Sequence, residues 1–83
     1  MYDVAFILRG SLRKAVLCNL EKPKTAKALS KDLNKHIQSV SRSLLELKRK
    51  GLVQCMNPKD DRFRFYKITQ KGEDLLEKIK EVT

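Results

Sequence analysis

Gln38 and Arg42 are the two side chains of this 83-residue chain best suited to reading the edge of a base. A glutamine amide sets a donor beside an acceptor and can pair twice with adenine; an arginine fork can pair twice with guanine. They stand in HIQSVSRSLLELKRKGL, residues 36–52, among Ser39, Ser41 and Ser43. Those short hydroxyls suit phosphate oxygens or methyl contacts. Ser41 has a simpler structural use too, bonding the backbone or packing beneath a neighbouring helix. Ile37, Val40, Leu44 and Leu47 recur at helical spacing in the same stretch, which gives one face of the helix to a core. The opposite face is slim enough to enter the major groove of B-DNA, which admits one α-helix. Lys48, Arg49 and Lys50 close the run. They either complement the negative end of the helix dipole or contact phosphate. Gly51 then suits the C′ position.

The elements around this helix must hold it. Thr25 is a good N-cap, because its hydroxyl can accept an orphan backbone N–H. Ala26, Leu29 and Leu33 form the buried stripe of the helix it opens, and the small Ala28 and Ser30 allow close approach of a neighbour. Asn34 tolerates the left-handed conformation of a helix end. Only Asn34 and Lys35 separate this helix from the next, with His36 near its N-cap, so the spacing predicts a helix-turn-helix. Upstream, residues 3–9 fit helical and alternating templates alike and are read as a short helix, with Gly10-Ser11 as a break. Leu12, Ala15, Val16 and Leu20 then form a helical stripe, with Arg13 and Lys14 on the wet side and Pro23 ending the helix near Glu21. After Gly51 the period becomes alternating. Residues 52–56 and 63–68 read as strands joined by the loop 57–62, a hairpin. Tyr66 and Ile68 should face inward, leaving Phe63 and Phe65 partly exposed. Thr69 caps a last helix with Leu75, Ile79 and Val82 inward, Leu76 beside them and an acidic wet side.

The net charge is +9, and residues 22–67 hold thirteen of the cations against four of the anions. A basic block between near-neutral ends predicts one electropositive face aimed at a polyanion. The length predicts a single domain, 1–83. No apolar run approaches a membrane span. The N-terminal MYDVAFILRG lacks the cationic region and cleavage site of a signal peptide. Two cysteines without a framework spacing, Cys18 and Cys55, predict buried free thiols in a reducing cytosol. Gly10, Gly51 and Gly72 are isolated and no nucleophile–base pair has a recognisable context, so an enzyme is not expected. His36 is the single histidine and the cysteines fall on separate elements, so neither a metal site nor another cofactor is expected.

The order helix, helix, turn, helix, strand, loop, strand, helix, taken with the residues, resembles the winged helix-turn-helix transcription regulators of the MarR and ArsR type. TAKALSKDL resembles the support helix, VSRSLLELKRKGLV the recognition helix, and NPKDDRFRFYKITQKG the wing and its exit. There the MarR pattern reads Asp-Pro-x-Asp-x-Arg, a strand, then Leu-Thr-x-x-Gly; Asn57 replaces the first Asp and Ile68 the Leu, without a gap to Gly72. The resemblance covers roughly residues 11–76. It implies an α+β, mostly helical fold, a winged helix-turn-helix with a two-stranded β-hairpin wing and flanking N- and C-terminal helices.

The resemblance further implies a cytoplasmic, sequence-specific regulator of transcription that binds double-stranded DNA as a homodimer through its N- and C-terminal helices. The recognition helix, about 37–50, would enter the major groove and the wing, about 57–64, would meet the minor groove. Arg62 occupies the family's minor-groove arginine position, where a narrow groove concentrates negative potential. Asp60 matches the acid that orients it. Gln38 and Arg42 are expected at bases, with Ser39, Ser41, Ser43, Lys59, Arg64, Lys24, Lys27 and Lys35 at phosphates or methyl groups. Leu45 lies off the core stripe and is expected under the wing or against a dimer partner. Two other readings stand beside this one. An interaction module would use residues Tyr2 to Leu8, Leu45, Phe63 and Phe65; a non-specific architectural nucleic-acid binder would need the charge alone.

Overall fold

A glycine divides the two helices that open the chain. Helix α1 (Tyr2–Arg9) and helix α2 (Ser11–Cys18) meet at Gly10, whose extended backbone breaks the helical run. The computed structural model describes residues 2–60 and 63–82 of the chain. After α2 come β1 (Lys24–Thr25), α3 (Ala26–Leu33), α4 (Ile37–Arg49), β2 (Val53–Cys55), β3 (Phe65–Ile68) and α5 (Gln70–Val82).

Helix α2 ends at Cys18, short of the end expected near Glu21. Asn19 stops it: the side-chain Nδ2 donates to the Ala15 carbonyl at 2.8 Å, and the backbone N–H is shared between the carbonyls of Ala15 and Val16. The chain then turns Leu20 into the core. The expected burial of both thiols does not hold. Cys18 lies on the outer side of the last turn of α2 and is exposed, and Cys55 is half-buried.

A side-chain cap opens the helix-turn-helix, and paired backbone bonds close the C-terminal end of each of its helices. Thr25 Oγ1 accepts the Ala28 N–H at 3.1 Å, the cap that opens α3. At the other end Asn34 adopts φ 54°, and the N–H groups of Lys35 and Asn34 donate to the carbonyls of Ser30 and Lys31. That is a Schellman motif, which satisfies carbonyls that a helix end leaves orphaned. The same motif ends α4, with Gly51 at φ 74° and Leu52 and Gly51 donating to Leu47 and Lys48. Glycine takes this conformation without the Cβ cost other residues incur.

The expected hairpin forms from β2 and β3, and β1, which was not expected, adds a third strand in antiparallel order β1-β3-β2. Strand β1 pairs Lys24 with Tyr66 and Thr25 with Phe65; β2 pairs Val53 with Ile68 and Cys55 with Tyr66. β1 follows Pro23 and stops where the Thr25 cap begins α3, too short to show an alternating pattern. Tyr66 and Ile68 face inward and Phe65 outward. The core beneath gathers Ile7 of α1, Val16 and Leu17 of α2, Leu29 of α3, Val40, Leu44 and Leu47 of α4, and Leu75 and Ile79 of α5. The side chain of Val82, expected on that stripe, lies outside the described residues.

Thr69 and Gly72 join α5 to the sheet. Thr69 Oγ1 accepts the Gly72 N–H at 3.1 Å, and the Thr69 N–H donates to the Leu52 carbonyl at 3.0 Å. Gly72 is buried against that same carbonyl.

Arg13, expected on the wet side of α2, instead ties three helices together. Its guanidinium lies 4.0 Å from the centre of the Phe6 ring, donates to the Phe6 carbonyl at 2.9 Å and pairs with Glu46 of α4. Lys50 Nζ approaches the same ring at 5.4 Å. Cation–ring contacts and partly buried charged hydrogen bonds are each worth about 1 kcal/mol or more. Arg13→Ala should therefore destabilise the fold by about 1–3 kcal/mol, measured by urea unfolding.

Candidate nucleic-acid interface

At about 100° per residue, α4 presents three faces. Val40, Leu44 and Leu47 point into the core. Gln38 and Arg42 lie one turn apart on the opposite side, exposed. Arg49 falls about three turns beyond Gln38 on that same face and is also exposed. It was not among the base-contact candidates, although its spacing placed it there. Ser41 is half-buried on the side facing the wing, and Ser39 is exposed on the opposite flank.

Two residues of the stretch stand elsewhere than expected. Ser43 is 6% exposed; it sits between Val40 and Leu47 on the inner face, so it is withdrawn as a DNA-contact candidate. Ile37 is 47% exposed, because it begins the helix and projects beyond the core. Leu45, 51% exposed, lies off the core stripe as expected.

The acids of the helix-turn-helix are held by cations. Glu46, the one acidic residue of α4, pairs with Arg13. Asp32, the one acidic residue of α3, pairs with Lys24 Nζ at 3.1 Å. Lys24 is thus half-buried and engaged with a carboxylate, unlike Lys27 in the first turn of α3 and Lys35 in the turn before α4, which are exposed. Exposed pairs of this kind contribute little stability. Their effect here is to cancel negative charge close to the outward face of α4.

The end of α4 is completed from α5. Lys71 Nζ donates to the Lys50 carbonyl at 2.8 Å and Thr69 Oγ1 donates to the Gly51 carbonyl at 2.6 Å. Lys48, Arg49 and Lys50 then add the favourable charge at the negative end of the dipole.

The wing is built on side-chain to backbone bonds. The Asp60 N–H donates to the Asn57 carbonyl at 3.0 Å, closing a turn with Pro58 at the position that favours it. Asn57 Oδ1 accepts the Phe65 N–H at 2.7 Å while its Nδ2 donates to the Phe63 carbonyl. An aspartate there could only accept, so the amide gives the hairpin a bond that a carboxylate could not supply. Asp60 Oδ1 accepts the Phe63 N–H at 3.0 Å, and Arg64 Nε donates to the Asp60 carbonyl at 2.9 Å. Asp60 therefore orders the wing backbone. Arg62 lies outside the described residues. Lys59 and Arg64 are exposed.

Among the described residues no helix is long and apolar enough to cross a membrane. No group of three or more His, Cys, Asp or Glu side chains is placed among them to hold a metal ion.

No family model matches the chain, and no curated protein sequence does. Solved structures do. The transcriptional regulator BldR from Sulfolobus solfataricus superposes with a TM-score of 0.78 at 27% identity over 88% of this chain and 54% of its own. The MarR family transcription regulator SP03579 gives 0.73 at 32% identity over 84% and 48%. The chain has a MarR-like winged helix-turn-helix fold. The multiple antibiotic resistance repressor MarR itself superposes at 0.74 with 29% identity over 88% of this chain and 54% of its own. The chain thus spans about half the length of the structures it matches. In the MarR-like fold α3 takes the place of the support helix, α4 that of the recognition helix, and β2 and β3 those of the wing strands.

Proposed function

We propose that the chain binds double-stranded DNA by sequence and regulates transcription, with α4 in the major groove and the wing at the adjacent minor groove. The observation that carries this reading is the outward face of α4. Gln38, Arg42 and Arg49 share it, both acids of the helix-turn-helix are paired with cations, and the chain's excess of positive charge lies between residues 22 and 67. A homodimer is the working form in this reading, since two copies related by a two-fold axis would meet half-sites about 34 Å apart. Lys27, Lys35, Lys59 and Arg64 would contact phosphates, which position a protein without reading sequence.

Selection of bound fragments from a genomic pool tests the reading. Enrichment of a short palindrome over random DNA is the expected outcome; uniform recovery of all fragments would leave only the non-specific binder. Arg62→Ala should weaken binding to the enriched duplex by about 1–3 kcal/mol, measured by titration at fixed salt. An unchanged affinity would remove the wing arginine from the contact set.

A further inference from the structure

We propose that the groove between α4 and the wing holds one sugar–phosphate strand of the duplex, with an apolar floor packed on deoxyribose; the assignment rests on the DNA-binding reading above. The groove is open and about 500 Å³ in volume. Ile37, Ser41 and Leu45, each one turn apart on α4, line one wall, Phe63 and Arg64 of the wing line the other, and Lys27 of α3 stands at the end.

Scattered exposed apolar residues are ordinary on a protein surface, whereas Ile37, Leu45 and Phe63 converge on this one groove. Ile37, Leu45 and Phe63 are 47%, 51% and 63% exposed. The backbone at Phe63 is fixed from both sides, with its N–H on Asp60 and its carbonyl on Asn57, so the ring projects from an ordered base. Among the described residues, the lining of the groove includes two cations, Lys27 and Arg64, and no acid, which favours an anionic occupant over an acid-and-base protein surface. A DNA strand has the matching double character, anionic oxygens along one edge and the apolar C–H face of the sugar along the other. Its course fits as well, because the strand between a major and a minor groove must pass between the elements that occupy them.

The readout that separates this role from charge attraction is the salt dependence of binding. Each phosphate neutralised adds about 0.9 to the slope of log K against log salt, whereas apolar packing adds nothing to it. The double variant Leu45→Gln, Phe63→Gln should bind the selected duplex at least 10-fold more weakly at every salt concentration, with the parent's slope. Lys27→Gln should bind more weakly with a slope smaller by about one. Thermal melts check that the variants fold, and sedimentation reports their oligomeric state. A double variant that binds like the parent overturns the assignment. So does one whose weaker binding follows from a lost dimer, since the groove would then cover a second copy of the chain. If the parent binds no duplex at any salt, the DNA-binding reading falls and the groove assignment falls with it; a parent that binds beside an unaffected double variant removes the groove assignment alone.

Discussion

Replacing Gln38 and Arg42 together by alanine is expected to lower affinity for the selected duplex by roughly 30- to 10⁴-fold. Each bidentate contact discriminates by about 1–3 kcal/mol, and every 1.4 kcal/mol is about tenfold in affinity. Both side chains are exposed on the face of α4 away from Val40, Leu44 and Leu47. Their removal should therefore leave stability within about 0.5 kcal/mol of the parent, so a thermal melt separates lost recognition from lost folding. Binding to random duplex should change far less. It depends on the charge of the whole basic segment, and the variant loses one cation, so the salt slope should fall by no more than about one. A double variant that keeps its preference for the selected duplex would move sequence reading away from this face. Equal losses on selected and random DNA would make both residues phosphate contacts only.

Gly72→Ala is expected to destabilise the fold by about 2 kcal/mol. A Cβ built there meets the Leu52 carbonyl oxygen at 2.3 Å and Ile68 Cγ1 at 2.6 Å. The first is backbone and cannot swing aside, so α5 must move off the sheet. That movement disturbs the bonds by which Thr69 links α5, the Leu52 carbonyl and the Gly51 carbonyl. Overpacking of this kind costs about 1–3 kcal/mol. Alanine returns up to about 1 kcal/mol of helix propensity over glycine. With backbone as the obstacle the steric term wins, and the upper part of its range applies. At roughly 4–8 °C per kcal/mol for a domain of 60–100 residues, the midpoint of thermal unfolding should fall by about 8 °C or more. An unchanged or raised midpoint would show that α5 yields to the methyl group at little cost.

Most of what positions the interface is legible in the sequence because it rests on local chemistry. The Thr25 cap, the left-handed Asn34 and the Gly51 stop are each decided within a few residues, and the structure has all three. The inward turn of Tyr66 and Ile68 follows from strand alternation in the same way. What escaped depends on packing between elements far apart in the chain. Arg13 reads as a solvated residue until α2 is laid across Phe6 and Glu46. Strand β1 has no pattern of its own and exists through its pairing with β3. Cys18 shares an apolar run, yet the Asn19 stop leaves it facing out.

The candidate site divides along the same line. Gln38 and Arg42 stand on the outward face their spacing indicated. Ser43 is buried because it lies three residues after Val40 and four before Leu47. That spacing was readable, and the polarity of serine outweighed it. Arg49 reads with its neighbours as an end-of-helix cation or a phosphate contact, which hides its alignment with Gln38 and Arg42. Asp60 was linked to Arg62 alone, whereas its bonds to the Phe63 N–H and from Arg64 Nε give it a role in the wing's own backbone.

The most direct test of the central claim, that the outward face of α4 enters the major groove, is an NMR titration of ¹⁵N-labelled protein with the selected duplex. Amide shift changes should concentrate at residues 38–42 and 49, at the start of α3 and in the wing, with the acidic side of α5 around Asp74 and Glu77 unmoved. Changes centred on α5 or α1 while α4 stays silent, at duplex concentrations that saturate binding, would contradict it.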